Sequence, residues 1–85
     1  MTLEETAELM LSSNYKERFL AEFWQVKIRF ERLYDMLVKY ENDELDFEPD
    51  SDIGTLTNQC MAMDQYLDAL YQRAEMENIE LGENE

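Results

Sequence analysis

Between Asn14 and Glu41 the chain contains neither glycine nor proline, and its apolar residues recur at spacings of four and three. Phe19, Phe23, Val26, Phe30, Leu33, Leu37 and Tyr40 fall on one line, the seam of a helix packed lengthwise on another. About 26 residues of helix span ~39 Å at 1.5 Å per residue. A second seam, Ile53, Leu56, Cys60, Met63, Leu67, Leu70 and Ala74, alternates three and four over a similar length. Two matched seams joined by a short connection predict an antiparallel helical hairpin.

The ends of these segments carry their own signals. Thr2 followed by Glu5 is a capping box that opens a short helix. Asn14 caps the first long helix, and Asp50, Ser51 or Asp52 caps the second. The expected fold is all-α, a single helical domain over 1–85. It comprises a short helix at about 3–11, a long helix at about 15–41, an acidic loop at about 42–51 and a long helix at about 52–78. Phe47 is expected to fold back from the loop as an apolar plug. The tail, 79–85, is expected to fray. One hairpin does not use all the apolar residues. Leu20, Trp24, Tyr34 and Val38 form a second stripe beside the seam, and Met61, Tyr66 and Tyr71 lie off the other seam. That surplus predicts a homo-oligomer or partner contact through Leu20, Trp24, Tyr34 and Val38.

Composition narrows the chemistry. The 85 residues include no histidine and one cysteine. Histidine-based triads, dyads and metal sites are therefore excluded, and a non-enzymatic protein without cofactor or metal is expected. Cys60 falls on the core seam and reads as a small buried hydrophobe. Asp50, Asp52 and Gly54 recur as in part of a calcium loop, but Met61 stands where the bidentate acid should be. The formal net charge of −14 opposes direct nucleic-acid binding. The segment Met1 to Met10 carries Glu4, Glu5 and Glu8 rather than a basic leader, and charges interrupt every apolar stretch, so no membrane span is expected.

The charge is unevenly placed. Lys16, Arg18, Lys27, Arg29, Arg32 and Lys39 lie on the first long helix, and Arg73 alone lies beyond it. Arg18, Arg29 and Arg32 share one stripe with Glu22 and Gln25. Guanidinium forks there suit phosphate or carboxylate, with Tyr15, Trp24 and Tyr34 near enough to stack on a planar ring. The plain structural reading pairs the same arginines with Glu22, Glu31 and acids of the neighbouring helix. The acids of the loop, Asp43, Glu44, Asp46, Glu48, Asp50 and Asp52, are either a solvated loop or a phosphate-like run that enters a basic channel of another protein.

The run Tyr15-Lys16-Glu17-Arg18-Phe19, then Glu22, Gln25, Arg29 and Leu33, the triplet Lys39-Tyr40-Glu41, and Leu45-Asp46-Phe47-Glu48-Pro49 resemble small phage and prophage proteins of gut bacteria. These are similar to the helical hairpin of the phage anti-CBASS and anti-Thoeris sponge proteins. The resemblance extends from about Thr2 to Leu81. It implies a small helical oligomer in the cytoplasm of an infected bacterial host. Such an oligomer sequesters, without hydrolysis, a cyclic di- or trinucleotide or a cyclic ADP-ribose-like signal. It implies Tyr15 as the stacking residue and Arg18 and Arg29 as phosphate ligands. Lys27 and Arg32 both remain open as the counterpart of the sponge pocket lysine. Two other functions stay in view. One is an acidic inhibitor that binds a defence protein such as a CRISPR effector nuclease by imitating nucleic acid. The other is an oligomeric scaffold with no small ligand.

Overall fold

The computed structural model describes residues 1–83. Three helices follow one another: α1 (Leu3–Met10), α2 (Tyr15–Glu41) and α3 (Ile53–Glu77). The fold is all-α, a short N-terminal helix followed by two long ones. The capping box at α1 forms as the sequence predicts. The Thr2 side chain accepts from the Glu5 amide, and the Glu5 carboxylate accepts from the Thr2 amide. Asn14 caps α2 by accepting from Lys16 N–H at 2.8 Å. Of the three candidates for α3, Asp52 is the cap, accepting from Thr55 N–H at 3.1 Å.

α2 is the central element. α1 and α3 each pack on it and not on each other. Tyr15 of α2 meets Glu77 of α3, and Glu22 meets Tyr66, so the two long helices run antiparallel. α1 folds back along a different side of α2. Thr6 of α1 is fully buried; its hydroxyl donates to the Leu3 carbonyl at 2.6 Å and accepts from the Gln25 amide at 3.1 Å. Ala21 is also fully buried.

The core is confined to one end. Phe19, Phe23, Leu67, Leu70, Ala74 and Ile79 form it, with Leu20, Trp24, Val26, Phe30 and Leu81 packed around them. Toward the loop the same two seams separate. Leu33, Leu37, Ile53, Leu56 and Met63 are only half-buried, and Tyr40 is exposed. Between them lies a groove of about 840 Å³. The loop does not close it: Phe47, expected as a plug, lines the groove and is 55 % exposed.

The tail departs from expectation. Asn78 takes a left-handed conformation (φ 55°, ψ 48°), and the Ile79 amide donates to the Ala74 carbonyl at 2.9 Å. This six-to-one bond is the Schellman ending of a helix, with asparagine in place of the usual glycine. It turns the chain back and drives Ile79 into the core. Leu81 and Glu83 continue across α2 and α3, so the described part of the tail is packed rather than frayed. Asn84 and Glu85, included in the frayed tail, lie outside the described residues.

The molecule is elongated. Its extents are 43 × 25 × 25 Å and its radius of gyration is 14.9 Å. A compact chain of this length has a radius near ~12 Å. Its surface is 6291 Å², against ~5,300 Å² for a compact monomer of this mass.

Candidate functional site

The candidate ligand-binding side chains Tyr15, Arg18, Lys27, Arg29 and Arg32 are distributed over four places. Tyr15 sits at the closed end. Its hydroxyl donates to Glu77 at 2.7 Å and accepts from Arg73 at 2.8 Å, while the Arg73 guanidinium lies 4.9 Å from the centre of the Phe19 ring. The Tyr15 hydroxyl foremost, with Glu77 beside it, holds the Arg73 guanidinium above its ordinary value. Tyr15 thus clasps the start of α2 to the end of α3, with its ring left half exposed.

Arg18 is engaged with α1. Its guanidinium donates to the Ser12 carbonyl at 2.8 Å, which holds the α1–α2 junction. Gln25, on the same stripe, bonds Thr6. The short helix and the junction after it therefore engage Gln25 and Arg18, although Arg18 stays exposed. Arg29 and Arg32 lie beyond it, exposed, and among the described residues neither has a hydrogen-bond or ion-pair partner. Their α-carbons are one turn apart, a rise of ~4.5 Å.

Lys27 stands elsewhere. At ~100° per residue it lies about 180° around α2 from Arg18. Its ammonium pairs with Glu83 of the tail and donates to the Tyr71 hydroxyl at 3.4 Å. The rings of Phe23 and Trp24 are 5.9 and 5.7 Å away. One copy of the chain therefore does not converge Tyr15, Arg18, Lys27, Arg29 and Arg32 on one ligand. Periodicity places Arg18, Arg29 and Arg32 on one face of α2, but it carries no information on which neighbour covers that face.

The apolar stripe also divides. Leu20 and Trp24 pack against the core, and the Trp24 indole N–H donates to the Leu81 carbonyl at 2.8 Å. Tyr34 and Val38 remain exposed and line the open groove. That groove carries Glu41, Asp43 and Glu48 and, among the described residues, no cation, so it does not suit a phosphate. The loop acids Asp43, Glu44, Asp46, Glu48 and Asp50 are exposed; Asp52 is engaged as the α3 cap. Asp43 adopts φ 56°, the left-handed turn that ends the α2 extension.

Cys60 is buried in the wall of the groove. Burial, and secondarily the nearby Asp64 carboxylate, push its thiol above the ordinary value of 9.0. Alkylation by iodoacetamide at pH 8 is expected to run at least ~10-fold slower than for a free thiol; an equal rate would contradict the burial. The linked effect on stability is fully present below pH 9 and is lost as pH rises through the folded-state value. A hydrogen bond to Glu22, reinforced by burial, raises the Tyr66 pKa in the same sense. Among the described residues no cluster of His, Cys, Asp or Glu is able to hold a metal ion, and no helix is long and apolar enough to cross a membrane.

A family model described as Sequestin matches residues 13–76, a span that begins just before α2 and ends within the last turn of α3. The chain belongs to the Sequestin family. No curated protein and no solved structure matches it. The name Sequestin denotes sequestration, a binding role. The matched span is the hairpin itself; α1 and the tail from Ile79 lie outside it. Trp24, Lys27, Arg29, Arg32 and Tyr71 lie within the Sequestin span, whereas Leu81 and Glu83, which occupy Trp24, Lys27 and Tyr71, do not. Sequence reading placed Tyr71 off the seam without a role and assigned none to Glu83. The only trace of the tail's course is the alternation Ile79-Glu80-Leu81.

Proposed function

We propose that the protein sequesters an anionic nucleotide signal and so acts in phage counter-defence by binding rather than catalysis. The ligand is a cyclic di- or trinucleotide or a cyclic ADP-ribose-like molecule, held in the cytoplasm of an infected bacterial host. Membership of the Sequestin family over the whole hairpin carries this reading. Arg29 and Arg32 support it, because two exposed guanidinium groups one turn apart suit the paired oxygens of phosphate. The excess surface supports a homo-oligomer in which Arg29 and Arg32 of one copy face Tyr15, Arg18 or Lys27 of another. The field inside such a cleft, not the net charge of −14, decides whether an anion enters.

Ligand depletion tests the proposal. The purified protein is incubated with a panel of cyclic di- and trinucleotides and cyclic ADP-ribose isomers, filtered, and the free ligand quantified. The expected result is stoichiometric removal of one ligand and its intact release on denaturation. Free ligand at its starting level for every compound, or release of a cleaved product, would overturn sequestration. In the first of those outcomes the exposed, unpaired acids of Asp43 to Asp50 favour the second reading, an acidic inhibitor of a CRISPR effector nuclease. Its binding would weaken steeply with added salt.

A further inference from the structure

Three hydrogen-bond donors on the long helices, Trp24, Lys27 and Tyr71, reach acceptors in the tail. The Trp24 indole N–H donates to the Leu81 carbonyl at 2.8 Å. The Tyr71 hydroxyl donates to the Glu83 carboxylate at 2.9 Å. The Lys27 ammonium pairs with the same carboxylate oxygen. These donors belong to two different helices, and the T-shaped packing of Phe23 on Trp24 (5.4 Å) and on Tyr71 (5.2 Å) fixes both rings around one centre. The Lys27 side chain is only 21 % exposed. Beneath the strap the ammonium lies against the Phe23 and Trp24 rings, and its charge is met there by Glu83. The three donors lie inside the Sequestin span, and Leu81 and Glu83 lie outside it.

We infer that Lys27, Tyr71 and Trp24 form an anion-binding cleft and that the strap Glu80–Glu83 is its built-in occupant, with Glu83 in the place of a ligand phosphate. The identity of the ligand as a nucleotide rests on the sequestration proposed above; the cleft and its strap rest on the geometry alone. A phosphate bound here accepts from Lys27 and Tyr71, as Glu83 does. A planar ring attached to it has the exposed part of Tyr71, 39 % accessible, to lie against. Ile79 anchors the strap to the core, so the segment beyond it leaves the cleft without unfolding the hairpin. Because the strap is tethered, its carboxylate competes at a high effective concentration and lowers the apparent affinity for any external anion.

Adenosine 5′-monophosphate is the probe, and Trp24, the one tryptophan, is the reporter. Titrations are followed by tryptophan emission with the full chain, with Glu83→Gln, and with Glu83→Gln combined with Lys27→Met. The expected result is at least ~10-fold tighter binding by Glu83→Gln than by the parent, with the gain removed by Lys27→Met. Circular dichroism confirms that each variant keeps the parent helicity. Equal affinity of the parent and Glu83→Gln, or a gain that survives Lys27→Met, overturns the strap. Depletion of a cyclic nucleotide by the parent is read separately. A parent that depletes such a ligand while Glu83→Gln shows no gain overturns the strap and leaves sequestration standing. A gain in Glu83→Gln with no depletion of any cyclic nucleotide does the reverse.

Discussion

A Phe23→Ala chain is expected to melt at least ~12 °C below the parent and to be largely unfolded at 37 °C. Phe23 is fully buried and is the ring on which Trp24 and Tyr71 both pack edge-on. Truncation of a buried phenylalanine costs about 3–5 kcal/mol in lost transfer energy and residual cavity. A domain of this size holds only about 4–13 kcal/mol in total, and each kcal/mol moves the melting point by roughly 4–8 °C. The site has little ability to collapse, because α1 holds α2 from another side through Thr6 and Gln25. Thermal denaturation followed by circular dichroism at fixed protein concentration measures the shift. Val38→Ala, at the open groove, is the control and is expected within about 0.5 kcal/mol of the parent. A Phe23→Ala melting point within ~5 °C of the parent would mean that the stability resides elsewhere.

The combined change Arg29→Ala and Arg32→Ala is expected to abolish ligand depletion while leaving the melting point within a few degrees. Hydrogen bonds to charged groups are worth about 1.5–3 kcal/mol each. Two of them amount to roughly a hundred- to ten-thousandfold in affinity at 1.4 kcal/mol per factor of ten. Neither arginine has a hydrogen-bond or ion-pair partner among the described residues, so removing both breaks no such bond there. Lysine at both positions keeps the charge but not the fork, and is expected to restore only part of the binding. The readout is the fraction of nucleotide left free after filtration. Undiminished depletion by the alanine variant would remove these two residues from the proposed site.

Local rules made the helices legible. The Thr2–Glu5 reciprocal pair, the aspartate at 52 and the four–three spacing act within a few residues, and each is visible in the chain without knowledge of its partners. The pairing of α2 with α3 follows from matched seams. The seams do not, however, say how far two helices stay together. Heptad reasoning predicts even burial from Phe19 to Tyr40, whereas the helices separate beyond Phe30 and leave Leu37 and Ile53 on a groove. The tail was illegible for a different reason. Its reversal uses Asn78 in a left-handed conformation, where a glycine would have announced it, and its partners Trp24 and Lys27 lie more than fifty residues away. The candidate site divided in the same way. A stripe defines which residues share a face, but Ser12 and Thr6 had to be seen in place to know that Arg18 and Gln25 are already taken.

The confinement of the core to the end near Tyr15 and Glu77 also bears on how such a chain diversifies. Substitutions among Phe19, Phe23, Leu67 and Leu70 act on the packing that keeps the hairpin folded. Those at Tyr34, Val38, Phe47 and Met61 fall where side chains are exposed along the open groove. Most surface changes of that kind move stability by less than about 0.5 kcal/mol. One stretch of each long helix therefore tolerates little change in side-chain volume, while the other can take on new contacts with little effect on the scaffold.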